Sequence, residues 1–299
     1  MLRLWLLTLL AGETLLALWL IGKLVADGRA NLFIVITILL IAFCWRLSHA
    51  LASFVVTETY RLRDHRAMPL SDNLRSLLGE FTSRLISFNW SQAFPQWALG
   101  ADPVGPAGGT PILLVHGYFS NRGLWIRFRK RLAAARKGPV YTITLEPLMG
   151  SIDAMMPALA ARIEEICRET GKERLIVVAH SMGGLVTRAY VVAQGCNRIA
   201  QIITLGSPHH GTATADFGLG ACTQQMRIGS EWLQTLAERE KTEKGRPPTL
   251  SIYTLTDDIV YPPESCILEG ATNIPITGVG HVQLLFSETV AQRVIAALP

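Results

Sequence analysis

An apolar run, Leu175-Ile176-Val177-Val178, leads directly into Ala179-His180-Ser181-Met182-Gly183-Gly184, and no other stretch constrains the fold as much. Four consecutive branched residues read as a buried strand, and the stretch after Ser181 reads as a helix. The serine between them sits on a sharp turn. A serine hydroxyl is a weak nucleophile until a base takes its proton and the chain holds it exposed. The strand–Ser–helix turn does the holding, and it demands small neighbours because two backbones crowd the strained residue. Ala179 and Gly183 meet that demand, although Ala replaces the Gly usual at the first position. The plain alternative is a chance serine in a glycine-rich loop, so the string needs companions.

Three segments supply them. Pro111-Ile112-Leu113-Leu114-Val115-His116-Gly117-Tyr118 is an apolar strand ending in His-Gly. In nucleophile-elbow hydrolases the loop after this strand gives one oxyanion-hole N–H, and the residue after the nucleophile gives the other. Those donors are expected to be the backbone amides of Tyr118 and Met182, with Gly117 letting the loop turn and His116 shaping it rather than serving as base. Ser251-Ile252-Tyr253-Thr254-Leu255-Thr256-Asp257-Asp258 is a strand running into paired carboxylates. Asp257 comes first and takes the role of triad acid. Asp258 is its rival, and otherwise a solvated loop carboxylate or a cap. Of the seven histidines only His281, in Gly278-Val279-Gly280-His281, follows the acid. The order Ser, Asp, His is the one this arrangement requires. His180 should point away from Ser181, and His209 and His210 either rim a pocket or satisfy loop backbone.

From about Pro111 to Pro299 the chain resembles a bacterial lipase of the α/β-hydrolase superfamily and is similar to the small Bacillus-type lipases. The three ordered segments carry the resemblance, and it assigns Asp257, not Asp258, to the acid. The stretch Thr204-Leu205-Gly206-Ser207-Pro208-His209-His210-Gly211-Thr212 is more similar to the larger lipases. The chain departs from the secreted small lipases in its N-terminal segment. It departs from calcium-binding ones in having Gln283 where an aspartate follows the histidine, so the resemblance implies no metal and no cofactor. Larger lipases also suggest a Cys222–Cys266 bridge, conditional on an oxidising compartment.

Strand-helix alternation implies a mostly parallel sheet covered on both faces. Strands are expected near 112–115, 140–144, 175–179, 199–205, 250–255 and 273–277. Helices are expected over 123–135, 152–169, 182–194, 225–240 and 281–297. Residues 213–246 depart most from the alternation and are the expected lid or pocket wall. Their Glu238-Arg239-Glu240-Lys241 run reads as a solvated helix face.

The composition points to membrane contact: 49% of residues are hydrophobic and the mean hydropathy is +0.30. The net charge of +5 is not concentrated with aromatics on any recognition element, which argues against nucleic acid and for anionic lipid headgroups. Leu4–Ile21 is apolar around Glu13, and Leu32–Trp45 continues into residues as far as Val56. A span needs about 20 mostly apolar residues. Residues 1–56 are therefore expected to form a two-span transmembrane hairpin, with Glu13 facing the second helix. Arg3 before the first span and Arg46, Arg61, Arg63 and Arg66 after the core of the second outweigh Lys23 and Arg29 between them, which Asp27 offsets in part, a bias that places both termini and the catalytic domain on the cytoplasmic side of a bacterial inner membrane. A single span would place the domain in the periplasm. Residues 57–110 are expected to hold a juxtamembrane amphipathic helix and a linker. Leu74, Leu77, Leu78, Phe81, Leu85 and Phe88 recur at helical spacing opposite Arg75, Glu80 and Arg84, so the helix either lies on the bilayer or docks on the catalytic domain, residues 111–299.

The function that follows is a membrane-anchored serine esterase or lipase acting on lipid esters through Ser181, His281 and Asp257, with the bilayer as partner. Its rivals are acyl transfer by the same site and an inactive hydrolase fold serving as a membrane scaffold.

Overall fold

A computed structural model describes residues 1–28, 32–105, 108–242 and 245–299. Three long helices come first: α1 (Leu2–Ala26), α2 (Leu32–Arg63) and α3 (Leu70–Ile86), followed by a single turn, α4 (Pro95–Leu99). Then strands and helices alternate: β1 (Ile112–Val115), α5 (Ile126–Ala134), β2 (Val140–Thr142), α6 (Ile152–Thr170), β3 (Leu175–His180), α7 (Met182–Gln194), β4 (Ile199–Leu205), α8 (Ala221–Gln225), α9 (Glu231–Thr242), β5 (Thr249–Thr254), β6 (Thr272–Ile276) and α10 (Glu288–Ala297). The six strands form one sheet in the order β2-β1-β3-β4-β5-β6, and every pairing is parallel.

The continuous apolar runs are explained by burial on both faces. Successive side chains of a strand point to opposite sides. Leu113, Val115 and Val177 join a core under α6 and α7, whereas Ile112, Leu114, Ile176 and Val178 join one under α5 and α10. All six expected strands are present. Two expected helices are shorter than their apolar patterns. The one foreseen from Gln225 starts at Glu231, and the one foreseen from His281 opens with a 3₁₀ turn, Val282–Leu285, before Ser287 caps α10.

The N-terminal helices differ more from expectation. Among the described residues only α1 is long and apolar enough to cross a bilayer; the apolar stretch of α2, Ile34–Trp45, is shorter. A second span is not supported, and the reason is visible further along α2. That helix passes residue 56 unbroken and binds the loop after β5. Ser53 Oγ donates to Asp258 Oδ2 at 2.7 Å, and buried Arg61 donates to the carbonyls of Asp257 at 2.6 Å and Leu255 at 3.3 Å. Tyr60 stacks on Tyr261 with ring centroids 5.5 Å apart, and Arg66 pairs with Glu264. Two of the arginines behind the topology argument are thus engaged in tertiary contacts. Arg29 and the side chains of Arg46 and His49 lie outside the described residues.

Helix α3 is turned opposite to a usual amphipathic helix. Its small and charged residues Ser76, Glu80 and Ser83 are buried, while Leu70, Leu74 and Leu78 are exposed. The expected linker, 101–110, is pinned at Asp102, which accepts from Arg122, Arg162 and Thr142.

Truncating Arg61 would strand two buried carbonyls, each unmade hydrogen bond costing about 1–3 kcal/mol. Arg61→Met is expected to lower the unfolding free energy by at least that much in chemical denaturation, and a change within 0.5 kcal/mol (about the scatter of neutral surface substitutions) would show that the α2 contact is dispensable.

Candidate active site

Ser181 is the pivot between β3 and α7, with φ +55° and ψ −129°. A non-glycine residue at positive φ is strained. The strain is held by close packing. A side chain at Gly183 would come within 2.6 Å of the Val115 and His116 carbonyls, and one at Gly117 within 2.6 Å of Ser181 Cβ. Gly117 is therefore needed because its loop presses against Ser181. Met182 is the first residue of α7, where backbone N–H groups have no intrahelical acceptor. His116 is buried beside this loop, its Nε2 accepting from the Leu145 amide at 2.8 Å and its Nδ1 facing the Gly117 carbonyl at 2.8 Å. Burial pulls its pKa down to about 4, so it stays neutral and ties the loop to the end of β2.

Asp257, in the loop after β5, and His281, in the loop after β6, meet side by side. His281 Nδ1 lies 2.8 Å from Asp257 Oδ2, and both side chains are buried. Asp257 Oδ1 accepts from the amides of Ile259 at 2.8 Å and Val260 at 2.7 Å. The two loops are stitched together by Thr254 and Thr256, whose hydroxyls both donate to the Val279 carbonyl. Gly206, at φ +56°, leaves room for the ring: a side chain there would come within 3.2 Å of His281 Nδ1.

Asp258 is not a solvated carboxylate. It is 2% exposed and accepts the His281 amide at 3.2 Å through Oδ1, while Oδ2 takes Ser53 and the Arg84 guanidinium. Arg84 also donates to Glu80 at 2.7 Å, and Glu80 Oε2 accepts the Gln283 amide at 2.9 Å. Three carboxylates, Glu80, Asp257 and Asp258, thus surround the backbone and ring of His281. Burial by itself pulls the His281 pKa down, but the charge and hydrogen bond of Asp257, with Glu80 and Asp258 behind it, raise it above the ordinary value. Burial and then Asp258 push the Glu80 carboxyl up, partly opposed by Arg84. Gln283 fills the place after the histidine by accepting from the Gly280 amide at 2.8 Å.

Sequence reasoning missed several of these roles. His180 lines the cavity, its Nε2 reaching the His281 carbonyl at 3.1 Å and its ring 4.6 Å from that of His281. The i,i+4 pair Glu80–Arg84 is visible in sequence, but its target, more than 170 residues away, is not. His209 bonds Thr204 Oγ1 at 3.1 Å, and neither it nor His210 lines the cavity.

That cavity is about 450 Å³ and contains Ser181 and His281. Its walls come from α1, α3 and the Tyr118–Ser120 loop, with Trp45 of α2. The expected lid, 213–246, contributes none of the lining. It packs elsewhere, with Trp232 donating to Asp153 of α6 and Glu240 buried in a bidentate pair with Arg188 of α7, so the charge run there is only partly solvated. Cys44, Cys167, Cys196, Cys222 and Cys266 are free thiols. Cys222 belongs to the core under α6 and α7, whereas Cys266 packs with Tyr253 and Val260, so the suggested bridge is not formed. Among the described residues no group of three His, Cys, Asp or Glu side chains is placed to hold a metal.

Comparison with known proteins bears on this geometry. Residues 149–290 match the PGAP1-like alpha/beta domain family. A triacylglycerol lipase from Vibrio cholerae is 26% identical over 159 residues, 50% of this chain and 51% of that one. A triacylglycerol lipase from Burkholderia plantarii is 37% identical over 59 residues, 20% of this chain and 16% of that one. The chain thus spans about half or less of the length of these curated relatives. Among solved structures, the mature Bacillus licheniformis lipase BlEst2 superposes with a TM-score of 0.57 at 18% identity, covering 66% of this chain and 95% of that one. Aspergillus fumigatus lipase B gives 0.56 at 20% identity, covering 64% of this chain and 52% of that one. The sheet and its helices are an α/β-hydrolase fold, as the resemblance to Bacillus-type lipases implies.

The carboxylates around His281 generate a pH prediction. A raised pKa keeps the imidazole protonated to higher pH, and if His281 is the base for Ser181, a protonated ring cannot take its proton. The acidic limb of kcat/KM should therefore have its midpoint above the ordinary histidine value of about 6.5. Glu80→Gln removes one of the raising charges and is expected to move that limb to lower pH. A limb that stays in place would assign Glu80 to structure alone.

Proposed function

We propose that this chain is a membrane-anchored serine esterase that hydrolyses carboxylic esters of lipids. The observation that carries the reading is the 2.8 Å contact of Asp257 with His281, whose ring shares one apolar cavity with strained Ser181. Ser181 Oγ attacks the ester carbonyl carbon as His281 Nε2 takes its proton, and Asp257 fixes the ring and stabilises the imidazolium. The oxyanion is received by the amides of Tyr118 and Met182. The intermediate collapses, His281 returns the proton to the departing alcohol, and an acyl-enzyme remains on Ser181. Water, deprotonated by the same histidine, releases the acid. A complete set of nucleophile, base and acid argues against an inactive scaffold. The relatives named triacylglycerol lipase support a lipid ester as substrate.

The membrane part of the proposal rests on α1. Its first turns pack on the catalytic domain, where Phe119 and Leu148 lie against the cluster of buried Leu2 and Leu6, while Leu15, Leu16, Leu18 and Trp19 are exposed. Exposed leucines over several turns suit lipid contact. Ser53–Arg61 of α2 also lies against the domain, so the chain leaves and returns on one face. A hairpin with both ends on one side then requires α2 to recross through its shorter apolar stretch, Ile34–Trp45, and in that arrangement the arginine bias favours the cytoplasm.

A fluorophosphonate probe should label the wild type and not Ser181→Ala; undiminished labelling would overturn the nucleophile. Asp257→Asn should lower turnover by several orders of magnitude, about 10⁴-fold being the loss in the serine-protease triad. Asp258→Asn should retain more activity, and the reverse order would exchange their roles. For topology, full-length protein should stay in the pellet after carbonate extraction, and release would remove the anchor. Alkaline phosphatase fused after Pro299 should be inactive, whereas an active fusion would put the domain in the periplasm.

A further inference from the structure

The cavity is walled by the helix proposed to cross the membrane. Trp5, Leu6, Leu9, Leu10 and Glu13 of α1 face it, opposite Phe81 and Leu85 of α3, and Ser181 and His281 stand at its catalytic end. The start of α1 is fixed beside the oxyanion loop: Trp5 meets Phe119 edge-on with centroids 5.3 Å apart, and the Met1 amine pairs with Glu146 at 2.7 Å. The position of this wall relative to the bilayer follows from length. The 25 residues of α1 rise about 37 Å at 1.5 Å each, and the hydrocarbon core is about 30 Å thick. A spanning α1 therefore leaves only about 7 Å, roughly five residues, outside the hydrocarbon. Even if all of these were at its N-terminus, Leu9, Leu10 and Glu13 would lie at hydrocarbon depth. The cavity then extends from Ser181 into the bilayer along an apolar wall, and its 450 Å³ falls within the range of about 300–1,000 Å³ typical of small-ligand sites.

We propose that α1 is one wall of the acyl-chain site, and that a long-chain lipid ester reaches Ser181 laterally from the bilayer with its chain lying against Leu9 and Leu10. The proposal rests on the serine esterase reading and deepens it by naming the substrate: a long-chain acyl ester resident in the membrane, rather than a short-chain ester taken from water. In this arrangement the chain need not leave hydrocarbon to be cleaved. Its ester moves only the short distance to the oxyanion loop, and the apolar surface it covers is already dry.

The test is a long-chain alkyl fluorophosphonate carrying a diazirine at the chain end, applied to full-length protein in phospholipid vesicles. Ser181 Oγ displaces fluoride from phosphorus, and the serine proton passes to His281. Irradiation then marks whatever the chain end touches. Labelling of Ser181 with the cross-link on the peptide containing Leu9–Glu13 is the expected result. Labelling of Ser181 with the cross-link on 213–246 or another segment would overturn the proposal while leaving the nucleophile intact. No labelling of Ser181 would instead defeat the esterase reading and this inference with it. As a second measurement, Leu10→Trp fills the cavity and should lower the ratio of kcat/KM for palmitoyl over butyryl esters about tenfold or more. Leu16→Trp, on the exposed part of α1, should keep the wild-type ratio. An unchanged ratio in Leu10→Trp would rule out the α1 wall.

Discussion

The ion pair between partly buried Arg84 and fully buried Asp258 is the contact on which the rest of the active region depends. Taking both charges out of water costs several kcal/mol per ion, recovered only when geometry and further hydrogen bonds are good. Here they are. Arg84 also reaches Glu80 and Ser53, and Asp258 also receives Ser53 and the His281 amide. One side of the pair belongs to α3, the other to the loop after β5, and the hydroxyl between them to α2. Losing one charge would leave the other buried and alone, a penalty of about 3–5 kcal/mol. The N-terminal helices and the α/β-hydrolase sheet are thus bound where His281 must be held.

This contact explains why α3 exposes leucines. A helix commonly turns its apolar stripe inward, because burying it is favourable. In α3 the inward face carries Ser76, Glu80 and Ser83, since what they meet is polar backbone and Asp258. Part of the apolar face is left for lipid or solvent, and part, Phe81 and Leu85, lines the cavity. The helix therefore docks on the domain, one of the two arrangements its sequence pattern suggested, and does so through its polar face.

What was legible in the sequence is what local pattern encodes. The strands could be read because burial on both faces leaves no polar alternation to interpret. Ser181 could be read because the strain of its turn requires glycine and alanine neighbours within a few positions. The contact of His281 with Asp257 matches the expectation from chain order and from the resemblance, which prefers Asp257 to Asp258. The contacts of Ser53, Arg61 and Arg84 could not be read, because each acts on a loop more than 170 positions away and nothing in their own neighbourhoods marks a target. The pocket wall was sought in 213–246, where alternation broke down, but Glu240 and Trp232 fix that region to α7 and α6. The end of the apolar stretch in α2 was blurred for a related reason: Val55 and Val56 continue the hydrophobic pattern beyond Ser53, although the helix has already met the catalytic domain there.

The five unbridged cysteines bear on the chemistry that the folded chain presents. Cys266 is buried, and burial first of all, then Asp257 and Glu264, pushes its thiol well above the ordinary cysteine range. A thiol so held has almost no thiolate, and thiolate is the form that oxidises or exchanges. In the folded state Cys266 is therefore out of reach of glutathione and of oxidising folding catalysts, and with its five thiols unbridged the folded chain is held by packing and buried charge rather than by disulfides.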